Sequence, residues 1–242
     1  MDSKVRFTRK ILKTKVDAIS LDEATTKIVN WAAKHKSKYI SITNTHVVTK
    51  AWIDRKFREI INSSDLSTPD GAPLSFLLRL NGYKNQKRVT GPDLMEKLII
   101  ESSKHKLKLF FYGSTREVLN LIKERIKESN LDSDIYYKSP PFRNLTNTEE
   151  DEIIEMLKKI KPNIIFVGLG CPKQDLWIQK NKKKINSVFI SVGAAFEFYA
   201  KTLKRAPKFM RDNGLEWIYR LYKEPLRLYK RYLSIIFIFG IG

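Results

Sequence analysis

The sequence predicts an α/β fold with a mostly parallel sheet, flanking helices and a basic helical appendage at its C-terminal end. Short apolar, β-branched segments alternate with longer amphipathic segments rich in Lys and Glu, as in βα units around a parallel sheet. From Lys201 onward the pattern changes, and basic residues are interleaved with aromatic ones. We therefore expect an α/β domain over residues 1–200 and an appendage over residues 201–242.

Length and charge limit the possible classes of protein. A chain of 242 residues with 42% hydrophobic content can bury one sizeable core. The formal net charge of +20 attracts polyanions or anionic lipid head groups, but it does not choose between them. Cys171 is the single cysteine, so an internal disulfide is excluded. The sequence shows no signal-peptide core and no apolar run of eighteen residues, which predicts a cytosolic protein that does not span a membrane.

The predicted strands are short and rich in β-branched or aromatic residues, and they cover residues 39–42, 108–112, 135–137, 164–167 and 188–192. The predicted helices cover residues 21–35, 91–102, 115–128 and 148–161. Gly113 follows the second of these strands, and Gly168 and Gly170 follow the fourth. Ligands of doubly wound folds bind at the carboxyl ends of the strands, so we expect a binding site along this edge.

The appendage is predicted to lie on an anionic membrane. Residues 201–231 contain ten Lys or Arg but only three Asp or Glu, together with Phe, Trp and Tyr, which is typical of an interfacial amphipathic segment. Arg220, Arg227 and Arg231 would share one helical face if the helix continued through Pro225. The apolar residues 233–242 are too few to span a bilayer. They fit a buried strand, an interfacial anchor or part of a longer segment.

A first candidate for chemistry is Asp70, between Pro69 and Gly71. This pattern favours a turn, so a structural role as a turn former or helix cap is the alternative. Further along, Arg88 and Asp93 flank a Gly-Pro pair where a second turn opens a helix. Taken alone, Asp93 would be interpreted as an N-terminal cap.

A second candidate is the loop after the strand at residues 164–167. The strand leads into Gly168-x-Gly170 and then into Pro172-Lys173-Gln174. Free backbone amides, an amide side chain and a cation at a ligand-binding edge suit a diphosphate. The spacing completes neither the dinucleotide-binding pattern nor the phosphate loop of nucleoside triphosphatases.

Several motifs follow one another between residues 39 and 233. They are Asp70-Gly71, Arg88-Val89-Thr90-Gly91-Pro92-Asp93-Leu94, Gly170-Cys171-Pro172-Lys173-Gln174-Asp175, Val192-Gly193-Ala194-Ala195-Phe196-Glu197, and Arg205-Ala206-Pro207 leading to Gly214-Leu215-Glu216-Trp217-Ile218-Tyr219-Arg220-Leu221. In order and spacing, the chain resembles the WecG/TagA/CpsF family of bacterial glycosyltransferases. The loop ends in Asp175 where the family usually has Glu, and Lys201 stands where Gly is common.

The resemblance implies an inverting, metal-independent transferase on a Rossmann-like sheet, with no cofactor. It would move a sugar such as N-acetylmannosamine from a UDP-sugar to an undecaprenyl-diphosphate-linked sugar, in surface polysaccharide or teichoic acid synthesis. The enzyme would then be peripheral on the inner face of the cell membrane. Self-association is a further possibility that the family suggests.

The resemblance also implies roles for individual residues. Asp70 is the expected general base, which takes the proton from the attacking hydroxyl, and Asn44 occupies the family's acceptor-site asparagine. Family members often have Thr where this chain has Ile42, with Thr43 adjacent. The expected catalytic residues are Asp70, Asn44, Arg88 and Gln174. The expected substrate-binding residues are Thr43, Gly113, Gly168, Gly170, Pro172, Lys173, Gly193, Glu197, Arg205, Arg220, Arg227 and Arg231.

Three interpretations stay open beside these. Glu197 either binds ribose hydroxyls or is a structural carboxylate at a helix start, and His46 is either a proton carrier or structural. Asp132-Ser133-Asp134 has the Asp-x-Asp spacing of metal-dependent transferases, but it precedes a strand instead of ending one, so we expect no metal there.

Two other functions compete with the transferase. The same basic, aromatic surface could bind nucleic acid, although no nucleic-acid-binding motif is present and we expect no nucleic-acid partner. An inactive scaffold subunit of a polysaccharide assembly complex would bind UDP without turnover.

Overall fold

The computed structural model of the chain describes residues 7–241, except for the side chains of residues 227, 230, 231, 236 and 238–241. The described chain begins with an antiparallel hairpin of β1 (Thr8–Ile11) and β2 (Thr14–Asp17). Six further strands form one parallel sheet: β3 (Lys38–Thr43), β4 (Leu66–Pro69), β5 (Leu109–Gly113), β6 (Ile135–Lys138), β7 (Ile164–Gly168) and β8 (Val188–Ser191). Their order across the sheet is β4-β3-β8-β7-β5-β6.

Helices cover both faces of this sheet. Those before β7 are α1 (Leu21–Ala33), α2 (Thr45–Ile53), α3 (Arg55–Asn62), α4 (Ala72–Leu80), α5 (Gly91–Lys104), α6 (Arg116–Glu128) and α7 (Asn147–Ile160). After β7 come α8 (Lys173–Asn181), α9 (Ala195–Tyr199), α10 (Lys208–Asp212), α11 (Glu216–Lys223) and α12 (Pro225–Ile241). With both faces covered, β5, β7 and β8 are apolar and buried along nearly their whole length.

The predicted fold class is confirmed, and so are the five predicted strands and four predicted helices, with bounds shifted by at most two residues. Their helix starts follow from capping side chains. Ser20 and Thr146 each form a reciprocal pair with a Glu three residues later, and Thr115 accepts from the Val118 N–H. The sequence analysis did not predict β1, β2, β4 or the helices α2 to α4 and α8.

The appendage is helical but is not one continuous helix. Since α11 ends at Lys223 and α12 begins at Pro225, Arg220 lies on a different helix from Arg227 and Arg231. The condition for a shared face, a helix that continues through Pro225, is therefore not met, because proline cannot continue α11 but suits the first turn of α12. The side chains of Arg227 and Arg231 lie outside the described part of the chain. Residues 233–241 are the end of α12, so the buried-strand interpretation of this tail is also wrong.

The appendage packs back onto the α/β core. Helix α12 contacts α2, and Leu228 is buried. A Cβ atom at Gly214 would lie 2.8 Å from the Ala72 Cβ, so the turn before α11 approaches the start of α4 as only glycine allows. Across residues 7–241, no helix combines the length and apolar character required to cross a bilayer.

Candidate active site

Three adjoining hollows follow the carboxyl edge of the sheet and form one groove. The central hollow, of about 280 Å³, lies over the ends of β3, β4, β7 and β8. It shares Asn44, Asp70 and Arg220 with an appendage-side hollow of about 250 Å³. On its other side, it shares Gly170 and Gly193 with a wide hollow of about 620 Å³.

Asp70 stands where the central and appendage-side hollows meet. Its N–H donates to the Thr43 carbonyl at 2.8 Å, which extends the β3–β4 pairing by one residue. Burial raises the pKa of Asp70 to about 6, and the Glu216 carboxylate adds to this shift. Arg88, Arg220 and a hydrogen bond with Asn44 act in the opposite direction. The site thus holds a carboxyl group that is ready to exchange a proton near neutral pH.

Two ion pairs tie the appendage to the core beside Asp70. Arg88 donates to Glu216 at 3.0 Å, and both side chains are about one-fifth exposed, at 19% and 22%. Arg205 donates to Asp93 at 2.6 Å. Burial acts to raise the pKa of Asp93, but hydrogen bonds from Arg205 and Thr90 lower it below its usual value. The N-cap of α5 is Thr90, whose hydroxyl accepts from the Asp93 N–H, so the interpretation of Asp93 as the cap is wrong. Asp93 lies in the first turn and anchors an appendage arginine.

Arginine side chains of the appendage retain unused donors. The Nε atoms of Arg205, Arg211 and Arg220 are buried and have no hydrogen-bond partner among the described residues. Arg205 and Arg220 line the appendage-side hollow together with Arg88. Because buried donors are normally satisfied, this cluster suits an anionic ligand with several oxygen atoms.

Gln174 joins two of the loops at the carboxyl edge. Its side-chain oxygen accepts from the Gly193 N–H at 3.1 Å, and the side chain is buried. The loop after β7 is thereby fixed to the loop after β8. Gln174 and Asp70 border the same central hollow, so two of the predicted catalytic residues, from distant parts of the sequence, are brought together.

The wide hollow is lined by the strand-end loops, with Gly168, Gly170, Lys173, Gly193 and Glu197 among its residues. Its volume is in the range of small-molecule sites. The Ser114 hydroxyl donates to the Glu197 carboxylate at 2.8 Å, which orients the carboxylate at the hollow.

Two of the predicted glycines also have packing roles. A Cβ atom at Gly168 would lie 2.7 Å from the Phe196 ring, and one at Gly113 would lie 2.4 Å from the Gly168 carbonyl oxygen. Gly113 has φ +124°, a conformation that L side chains rarely adopt. These glycines let β5, β7 and α9 approach closely, whatever else they do.

Thr43 is not brought to the groove surface. Its hydroxyl is fully buried and bonded to the Ser41 and Ser67 hydroxyls at 3.0 and 2.7 Å. Alternation along β3 places Thr43 on the face opposite to Ile42, and Ile42 borders the central hollow. Asn44, the next residue, caps α2 by accepting from the Val47 N–H at 3.1 Å.

A fully buried carboxylate, that of Asp175, lies on α8. The Tyr39 hydroxyl donates to Asp175 at 2.6 Å, and both side chains have no exposed surface. Burial raises the pKa of Asp175 to about 6 and that of Tyr39 well above its usual value.

Asp132 and Asp134 precede β6 and lie at the amino edge of the sheet, opposite to the groove. In the described part of the chain, no three His, Cys, Asp or Glu side chains cluster as metal ligands would. His46 borders the central hollow.

The sequence analysis assigned no role to Glu216, Trp217, Phe198 or Tyr232, which line the appendage-side hollow. For Glu216 and Trp217 a signal was available, since both lie in the Gly-Leu-Glu-Trp motif. For Phe198 and Tyr232 the sequence offers none, because they reach the hollow only through tertiary packing.

Comparison with known proteins agrees with this architecture. The model of the family described as "Glycosyl transferase WecG/TagA/CpsF family" matches residues 9–241. A similar protein is the N-acetylglucosaminyldiphosphoundecaprenol N-acetyl-beta-D-mannosaminyltransferase of Bacillus spizizenii, 29% identical over 84% of this chain and 77% of its own. Proteins of the same name from Bacillus subtilis and Staphylococcus aureus are 28% and 26% identical, over 87% and 84% of this chain and 82% and 79% of theirs. The chain is therefore a glycosyltransferase and belongs to the WecG/TagA/CpsF family.

Proposed function

We propose that this glycosyltransferase moves N-acetylmannosamine from a UDP-sugar to a sugar on undecaprenyl diphosphate, with inversion at the anomeric carbon and without a metal ion. The names of its relatives supply the acceptor and the sugar. The observation that carries the mechanism is Asp70, a carboxyl group with a pKa of about 6 at the junction of two hollows.

In the proposed reaction, Asp70 is the general base. The acceptor hydroxyl attacks the anomeric carbon from the face opposite to the nucleotide, and its proton passes to the Asp70 carboxylate as the new C–O bond forms. The bond between the anomeric carbon and the UDP oxygen breaks, and its electron pair leaves with that oxygen. An acid with a pKa near 6 is ionised at pH 7 and is a stronger base than an exposed aspartate. The Asn44 amide holds this carboxylate in place.

The leaving diphosphate gains negative charge, which the protein must stabilise. Arg88 and Arg205 line only the appendage-side hollow, where the acceptor would enter, and would bind the acceptor's own diphosphate. Arg220 borders the central hollow as well, and we assign the stabilisation of the leaving diphosphate to it, with Arg227 and Arg231 as further candidates. Their fixed positive charge would do what a divalent ion does in metal-dependent transferases. Gln174 keeps the loops after β7 and β8 together around the same group.

The wide hollow would take the nucleotide. Gly168, Gly170 and Gly193 let the backbone approach the phosphates, Pro172 and Lys173 open α8 beside them, and Glu197 would accept from the ribose hydroxyls. The nucleotide then points its sugar into the central hollow, where Asp70 and Gln174 face it. The acceptor would enter from the appendage side.

The appendage would dock on the anionic inner face of the cell membrane. Leu226, Tyr229, Leu233 and Phe237 are exposed along α12 at spacings of three or four residues, so they share one face. Basic residues of the appendage would contact lipid phosphates while these side chains enter the interface.

Incubation of the protein with a panel of UDP-sugars and a short-chain lipid-diphosphate-linked N-acetylglucosamine tests the function. We expect one disaccharide product by mass with UDP-N-acetylmannosamine, unaffected by a chelator. UDP binding without product from any donor would instead support an inactive scaffold. A chelator-sensitive product would contradict the metal-independent mechanism while retaining the transferase.

A further inference from the structure

We infer that the α/β core carries a second membrane-contact surface, formed by α4 and the β1–β2 hairpin, in addition to the appendage. The partner that binds this surface is an anionic bilayer. This inference rests on the proposed function, because a bilayer is where the lipid-linked acceptor resides.

Helix α4 presents an apolar stripe to solvent. Pro73, Phe76 and Leu80 follow one another at spacings of three and four residues and so lie on one face. Phe76 is 52% exposed and Leu80 is 67% exposed. The opposite face is buried through Leu74 and Leu78. The packing of the opposite face therefore fixes α4 so that the apolar stripe points to solvent.

Other exposed apolar side chains surround the same small cluster of buried residues. Leu74 and Leu78 pack with Ile11 and Val16 of the hairpin and with Val48 of α2. At the rim of this cluster, Phe7 contacts the Tyr83 ring at 6.0 Å between centroids. Trp52 and Ile53 end α2 nearby. We call the exposed set Phe7, Trp52, Ile53, Phe76 and Leu80 the α4 surface.

The charge around the α4 surface is predominantly positive, although the exposed Asp54 follows Ile53. Residues 7–16 and 71–87 together contain seven Lys or Arg and no Asp or Glu. The Arg79 guanidinium lies 5.9 Å from the Phe76 ring centroid, and the Lys13 ammonium lies 5.0 Å from that of Trp52. Cations beside exposed aromatic and aliphatic side chains suit an interface in which head groups are anionic and acyl chains lie just beneath.

The α4 surface is continuous with the mouth of the groove. Ala72 and Pro73, in the first turn of α4, line the appendage-side hollow, while Tyr232 and Ile235 of α12 line the same hollow. A bilayer that touches both α4 and α12 therefore meets this hollow between them. Two contacts would fix the tilt of the enzyme, so that a lipid-borne sugar reaches Asp70.

The test is co-sedimentation with vesicles of phosphatidylglycerol and phosphatidylcholine. We expect the Phe76→Ser, Leu80→Ser double variant to lose about fivefold or more in partitioning, because two apolar side chains no longer enter the interface. The matched control is Ile100→Ser with Leu121→Ser, two helix-surface residues that are 40% and 36% exposed on α5 and α6. The control should partition within twofold of the wild type. Turnover of a soluble short-chain acceptor should be unchanged in both variants.

Unchanged partitioning of the Phe76, Leu80 variant would overturn the inference. So would a lipid-free change of the variant from dimer to monomer in sedimentation velocity, since the surface would then belong to a second copy of the chain. Failure of the proposed function would look different. The wild type would produce no disaccharide in solution, whatever the variants do on vesicles.

Discussion

Two aspartates of this protein, the partly buried Asp70 and the fully buried Asp175, each have a pKa of about 6, yet their surroundings differ. Burial raises the pKa of both Asp70 and Asp175. Asp70 borders two hollows and is flanked by Arg88, Arg220 and Glu216. Asp175 is enclosed, and its carboxylate is hydrogen-bonded with the Tyr39 and Ser191 side chains. A raised pKa alone therefore does not identify a catalytic base; access to a ligand-sized space does.

The largest expected difference between Asp70 and Asp175 concerns turnover. We expect Asp70→Asn to lower kcat by about 10³-fold or more, because the acceptor proton loses its base, while the dissociation constant for UDP changes less than about threefold. Asp175→Asn is the matched control. It should retain kcat within tenfold. Equal losses of turnover in the two variants, or a parallel loss of UDP binding in Asp70→Asn, would contradict the assignment.

A second expected effect concerns stability. When a carboxyl group has a raised pKa in the folded state, its ionisation at pH values above that pKa lowers the free energy of unfolding. Ionised Asp70 therefore destabilises the fold at pH 7. We expect Asp70→Asn to raise the free energy of unfolding at pH 7 by about 3 kcal/mol, from the shift of 3.8 to about 6. In urea titrations, the wild type should become more stable as pH falls from 7 to 5. In Asp70→Asn, this dependence of stability on pH should be weaker, because of the two aspartates only Asp175 still contributes to it.

A third variant tests the surroundings of the enclosed Asp175. Tyr39→Phe removes one of the two side-chain hydroxyls that hydrogen-bond with Asp175, the other being that of Ser191, which should lower the free energy of unfolding by about 1–2 kcal/mol. The pH dependence of turnover should stay as in the wild type, because Tyr39 is fully buried away from solvent. A shifted pH profile would mean that the ionisation of Asp175 affects the ionisation of the reacting groups.

The smallest expected effect isolates one neighbour of Asp70. Glu216 raises the pKa of Asp70, so Glu216→Gln should lower it and move the acidic limb of the pH–rate profile by a fraction of a pH unit to lower pH. Asp212→Asn, on α10, is the control. A limb that moves to higher pH would contradict the electrostatic account.

The central elements of the fold could be predicted because parallel strands covered on both faces leave continuous apolar segments. The β1–β2 hairpin could not, since Thr8–Ile11 and Thr14–Asp17 are short and largely polar. Strand β4 ends in Pro69 and was interpreted as part of a turn. It is a strand because it lies at the sheet edge, where proline costs no ladder hydrogen bond.

Much of the candidate site could also be predicted, because Asp70, Arg88 and Gln174 lie in motifs whose order matches a known family. What could not be predicted is which side chain faces the groove. Thr43 is turned into the sheet by the alternation of β3, and Glu216 reaches Arg88 only because α11 folds back on the core. The break at Pro225 similarly depends on where α12 can pack.

The most direct test of the central claim is the pH dependence of kcat/KM for the wild-type enzyme, with UDP-N-acetylmannosamine and a short-chain lipid-diphosphate-linked acceptor. This profile reports ionisations of the free enzyme. We expect activity to fall tenfold per pH unit below an apparent pKa of about 6, the value of Asp70. A profile that stays flat from pH 7 to pH 5 would contradict Asp70 as the base.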